Sequence, residues 1–216
     1  MESLALTDPL LQEFPRSLIS DVEGGLFLFY GDPSLFALSP LLAGWRLELG
    51  ERVLFLDGGN CFDPYPLVAW AKRMGRNPQS FLSALFISRA FTCHQMGSLI
   101  FNQLKTGIAA HRPRLVILAS PLETFYDESV PFIEAKNLLL HLLTALGQMA
   151  RDRIFVVLSP FPRKMAGRRA FFLSHIKHRA DKIFRIDRPA GSLQRAIRIT
   201  EEKPSSRRWV LPVLGQ

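Results

Sequence analysis

Residues 26-LFLFYGDPSLFALSP-40 run from an apolar strand into a glycine turn and then into an apolar segment that can be helical. Nucleotide-binding proteins use this layout to cradle phosphates. In a working loop, backbone amides hold the phosphate oxygens, a lysine reaches the outer phosphates and a Ser/Thr hydroxyl holds Mg²⁺. Here the positions read Gly31, Asp32, Pro33, Ser34, Leu35, Phe36, Ala37 and Leu38. Phe36 stands for the second glycine, Ala37 for the lysine and Leu38 for the hydroxyl residue. Pro33 removes an amide donor, and Asp32 would meet a phosphate with the wrong charge. The plainer reading is that Asp32-Pro33 only starts a turn.

Other groups capable of chemistry are sparse. His175 and His178 are three apart and can share one helical face, but no third metal ligand accompanies them, and a solvated basic helix accounts for both. His94 and Gln95 read as polar residues at a helix start. His141, within 138-LLLHLLTALGQM-149, reads as a satisfied core or interface histidine. Asp57, at the end of 53-VLFLD-57, reads as the cap of the following turn. Cys61 and Cys93 are the only cysteines and show no ligand spacing, so two reduced thiols are expected, with one disulfide as the alternative.

The elements that would position these residues alternate along the chain. Short apolar runs at 26-LFLFY-30, 53-VLFLD-57, 84-ALFIS-88, 114-RLVILAS-120 and 153-RIFVVLS-159 lack polar alternation, as strands of a parallel sheet covered on both faces do. Helical patterns lie between them at 66–74, with Gly75 as a stop, from the cap Asn77-Pro78, at 92–110 and at 132–150. Shorter strands are expected near 182–187, 194–200 and 208–213. The expected fold is a three-layer α/β sandwich, its sheet parallel in the middle and antiparallel at the C-terminal edge. Residues 1–216 read as one domain, with an N-terminal extension over 1–22, a basic loop over 160–179 and C-terminal strands over 180–216.

Charge is unevenly spread. The net charge is +8, made of −3 over residues 1–150 and +11 over residues 151–216. Such a basic segment fits nucleic acid or another polyanion, and equally a solvated surface. No apolar run reaches the roughly 20 residues of a membrane helix, and the first residues do not resemble a secretory signal, so a soluble, cytoplasmic protein is expected.

The order of short motifs resembles the RecA-type recombinases, particularly the RadA-like branch and its paralogues. Leu56-Asp57, Phe62-Asp63-Pro64, Gly75-Arg76-Asn77-Pro78, Arg89-Ala90-Phe91 and His94-Gln95 follow one another as in that family, and 175-HIKHRADKIFRIDRPAGSLQRAIRIT-200 continues the likeness. The resemblance implies a RecA-like P-loop NTPase fold with degenerate nucleotide motifs. Besides Ala37 and Leu38, Ala119 stands where the metal-side acid is expected, and Gly59 where the glutamate that positions water is expected. With these four missing, no ATP hydrolysis by the family's mechanism is expected, and no cofactor is expected, ATP and Mg²⁺ in an altered pose being the alternative. The resemblance also implies a DNA-contacting loop after 153–159. That makes Arg163, Lys164, Arg168, Arg169, Lys177 and Arg179, interleaved with Phe171 and Phe172, the candidate DNA-binding set. The function implied is a non-catalytic accessory protein in DNA repair or recombination, contacting DNA, a related ATPase, or both, with self-association left open. Two alternatives remain: a diverged nucleotide-binding ATPase, and a protein scaffold with no nucleic-acid role.

Overall fold

The structure, a computed structural model, describes residues 3–4, 24–151, 153–160, 167–188, 196–204 and 208–214. Its strands are β1 (Ser3–Leu4), β2 (Gly25–Gly31), β3 (Val53–Asp57), β4 (Leu85–Arg89), β5 (Leu115–Ala119), β6 (Ile154–Pro160), β7 (Lys182–Asp187), β8 (Ala196–Lys203) and β9 (Arg208–Leu214). They pair in the order β1-β9-β8-β7-β2-β6-β5-β3-β4. Pairing is parallel from β7 through β4 and antiparallel among β7, β8, β9 and β1. The parallel centre with one antiparallel edge expected from the sequence is therefore present.

The helices are α1 (Leu38–Glu48), α2 (Tyr65–Arg73), α3 (Pro78–Leu82), α4 (Cys93–Ser98), α5 (Leu104–His111), α6 (Phe132–Met149) and α7 (Phe172–Arg179); a π-helical turn, Leu99–Gln103, joins α4 to α5. Alternate strand residues divide between the two faces. Phe27, Phe29, Phe55, Ile117 and Val156 pack with α1, α2 and α3, while Leu26, Leu28, Leu54, Val116 and Val157 pack with α4 to α7. Both faces are apolar, so the central strands carry no polar alternation.

Local signals behave as their chemistry dictates. Asn77 caps α3 by accepting from the Gln79 amide at 2.9 Å. At the end of α2, Gly75 takes φ +64°, its N–H donating to the Lys72 carbonyl and the next N–H, on Arg76, to Ala71, which is a Schellman closure. Leu139, Leu142, Leu143 and Leu146 are buried within this chain's own core, so the Leu-rich helix is explained without a partner. His141 is exposed, not the core histidine that its leucine neighbours suggest, because it falls on the outward face of α6. The stretch expected as a basic loop over 160–179 contains a 3₁₀ turn, Arg168–Phe171, and α7. No helix among the described residues is long and apolar enough to cross a membrane.

Candidate functional site

The carboxyl ends of parallel strands, where ligands bind open α/β sheets, carry a cleft of about 520 Å³. Pro33 and Phe36 reach it from beyond β2, Gly58, Gly59, Asn60 and Cys61 from beyond β3, and Phe91 from beyond β4. Ser120, Glu123 and Tyr126 follow β5, and Pro160 ends β6.

The turn after β2 is closed by its own side chains. Gly31 has φ +131°, and a β-carbon there would run into the Ile186 carbonyl oxygen of the neighbouring strand β7. The Asp32 amide donates to that same oxygen at 2.9 Å. Close approach to β7 thus accounts for the glycine without any phosphate. The Asp32 carboxylate accepts from the Ser34 amide at 2.8 Å and from Arg188 Nε at 3.0 Å, capping a 3₁₀ turn over Pro33–Ala37. Burial pushes the Asp32 carboxyl upward, but the Ser34 hydrogen bonds and then Arg188 outweigh it and hold the group below its usual value. Leu35 and Leu38 are fully buried, and Phe36 packs partly against the same core. The turn is filled from within: an anionic cap holds its start, and Leu38 is buried in the core.

The second half of the site is equally closed. Asp57 is buried, and it accepts from the amides of Gly59 (3.3 Å), Cys61 (3.0 Å) and Phe62 (3.1 Å), with Arg89 at 3.5 Å. It caps the turn after β3, as the sequence suggests, and its oxygens are occupied by that turn. Burial first, and then the charge and hydrogen bonding of Asp57, push the Cys61 thiol well up, so it is no thiolate nucleophile near neutral pH. Both cysteines are free.

Gly58 and Gly59 lie against Ser120, which adopts a left-handed conformation (φ 49°, ψ 45°) at the end of β5. A β-carbon on Gly59 would stand 2.6 Å from the Ser120 β-carbon, so this position has no room for a side chain. Ala119 is fully buried in the apolar core. Asn60 is also left-handed, with φ 49°. Strained positions of this kind gather where a turn is over-determined by its neighbours.

Around the cleft, Thr92 and Gln95 cap α4: the Gln95 amide donates to Thr92 Oγ1 at 3.2 Å, and Gln95 Oε1 accepts from the Phe91 amide at 2.8 Å. His94 lies beside Glu134 at 3.4 Å, both exposed, at the helix-start position expected of it. Phe91 itself is 70% exposed. His175 is partly buried and His178 exposed; among the described residues no three His, Cys, Asp or Glu side chains are grouped as a metal site.

The candidate DNA-binding residues divide. Arg163 and Lys164 lie outside the described residues. Arg169 is buried; it donates through Nη1 to the Phe125 carbonyl at 2.6 Å and through Nη2 to the Val130 carbonyl. Phe172 is fully buried, its ring parallel to Phe132 at 5.6 Å. Neither side chain is presented to an external strand, because both fasten α7 to the segment after β5. Lys177 Nζ sits 3.6 Å over the Tyr30 ring and 3.8 Å from Glu202. Arg168 and Arg179 are exposed, and so is Phe171. The sequence marks these positions as basic and aromatic, but the inward or outward turn depends on carbonyls some forty residues away.

No protein-family model matches the chain.

Proposed function

We propose that this chain is a RecA-like pseudo-ATPase: an accessory domain that keeps the scaffold of a nucleotide-binding fold, has lost the nucleotide chemistry, and acts in DNA repair or recombination by contacting nucleic acid. The observation that carries the first half is the closed turn Asp32–Leu38. There Asp32 is tied to Arg188, Gly31 is required by β7, and the positions matched to the lysine and the hydroxyl residue are Ala37 and Leu38. With Gly59 shut against Ser120 and Ala119 in the core, the catalytic positions are sterically or chemically closed. Electrostatic stabilisation usually carries the largest share of phosphoryl-transfer catalysis, so their joint loss leaves no mechanism.

The nucleic-acid half is supported by the +11 charge of residues 151–216 and by exposed Arg168, Phe171 and Arg179 on one short stretch. Fluorescence anisotropy of labelled single- and double-stranded DNA tests it. Binding that weakens as salt rises, and weakens again with Arg168→Glu, is expected; absence of binding at low ionic strength refutes it.

Contact with a related ATPase is the second strand of this reading. What favours it is the outer edge of β4, the last strand of the sheet among the described residues, which exposes Ile87 beside a groove lined by Leu85, Phe86, Leu99 and Leu104. An open edge of this kind can take an added strand. Co-purification with a RecA-type ATPase from the native cell, lost on Ile87→Asp, is the expected result.

A further inference from the structure

The cleft at the strand ends has a lining unlike that of a phosphate site. Three aromatic rings border it, Phe36, Phe91 and Tyr126, together with Pro33 and Pro160. They come from both layers of the sandwich: Phe36 packs on the α1 side of the sheet and Tyr126 on the α6 side. Among the described residues no lysine, arginine or histidine lines it, and the one carboxylate there is Glu123, which is exposed. A polyanion is therefore disfavoured inside it, while a flat ring with N–H donors is favoured.

Two further features point to a ligand. The Tyr126 hydroxyl is buried and has no hydrogen-bond partner among the described residues, an arrangement that native structures rarely leave unanswered. The volume, about 520 Å³, falls within the roughly 300–1,000 Å³ of small-ligand sites and exceeds what one planar ring needs.

The basic stretch is fastened to this same rim. Arg169 grips the carbonyls of Phe125 and Val130, on either side of Tyr126, and the Phe172 ring lies parallel to Tyr126 at 6.5 Å. Exposed Arg168, next to Arg169, sits 5.9 Å over the Phe132 ring. Cationic groups for phosphates thus stand outside the cleft, while aromatic rings and an acceptor for an amine stand at it.

We propose that the cleft takes a single amino-bearing nucleobase from a nucleic-acid strand, its ring against Phe91 and its exocyclic N–H donating to Glu123, with the strand's phosphates left outside on Arg168. This rests on the nucleic-acid reading above. Carboxylates accept from base amines in this way, and aromatic stacking tolerates any base.

The test uses the full chain and a dye-labelled oligothymidylate carrying one central 2-aminopurine. Anisotropy reports strand binding, and 2-aminopurine emission reports burial of the base. The expected result is salt-sensitive binding with a marked emission change. Phe91→Ala, at an exposed position that does not threaten folding, should abolish the emission change and weaken binding about 5- to 150-fold, the range of one lost aromatic stack. Replacing 2-aminopurine riboside with purine riboside, which lacks the amine, should weaken nucleoside binding several-fold in the wild type and not in Glu123→Ala. Strand binding with unchanged emission, or an emission change that survives Phe91→Ala, overturns the base pocket and leaves nucleic-acid binding standing. Absence of strand binding together with nucleoside binding overturns the nucleic-acid reading and this strand-borne ligand, leaving a free nucleobase site; absence of both overturns everything proposed for the cleft.

Discussion

Gly59 and Ser120 are so close that a β-carbon on the glycine would stand 2.6 Å from the Ser120 β-carbon. The space beside Gly59 is thus occupied by the turn after the neighbouring strand β5.

A side chain at this position should therefore be poorly tolerated. Gly59→Glu is expected to destabilise the fold by about 1–3 kcal/mol, the usual result of overpacking, and to give no ATPase activity. Urea unfolding measures the first and phosphate release the second. A stable, active Gly59→Glu protein would show that the turn relaxes easily.

Asp57 holds the floor of the cleft through three backbone amides. Asp57→Ala leaves those donors unmet in a buried place and removes a partner of Arg89. A loss of about 3 kcal/mol is expected in denaturant melts. Faster alkylation of Cys61 should accompany it, because the half-buried thiol also loses the adjacent negative charge that helps burial push its pKa up. An unchanged melt with unchanged thiol reactivity would contradict the capping role.

Arg168 and Arg169 are neighbours with opposite expected behaviour. Arg169→Ala should cost about 2–4 kcal/mol of stability, since it leaves the Phe125 and Val130 carbonyls without their charged donor. Arg168→Ala should leave the melting temperature within a degree or two and lower the slope of log affinity against log salt by ~1. Thermal melts and anisotropy on the same pair of variants distinguish the two roles.

The Asp32 carboxyl, with its folded pKa lowered, sets a sign for pH dependence. A group of this kind binds its proton less readily folded than unfolded, so its contribution is complete above the unfolded value of about 3.9 and drains as pH falls through the lower folded value. Asp32→Asn should lower the melting temperature at neutral pH, where the contribution is complete, and converge on the wild type at low pH, flattening that acid limb. An acid limb of the same depth in the variant would assign the effect elsewhere.

Much of the scaffold is legible in the sequence, because a strand buried on both faces must be apolar throughout and a helix end must satisfy its amides. The runs at 53–57 and 182–187 coincide with β3 and β7, and Gly75 and Asn77 act as stop and cap. What the sequence hides is the direction of long side chains. Arg169 reads as a surface base, yet its partners lie 44 and 39 residues earlier in the chain. His141 reads as a core or interface histidine among leucines, and one step of helical phase turns it out of the core. Gly31 reads as a relic of a phosphate turn, while the contact that requires it belongs to β7, more than 150 residues later. The cleft's aromatic lining is assembled from turns after three different strands, so no local motif announces it.

The central claim is that the Asp32–Leu38 turn has no place for a nucleotide. Thermal unfolding of the chain with and without millimolar Mg·ATP tests it directly. No shift in melting temperature is expected, whereas a ligand present at 100 times its Kd would add ~2.7 kcal/mol of stability. A reproducible upward shift that depends on ATP and is abolished by a substitution within Gly31–Leu38 would contradict the account.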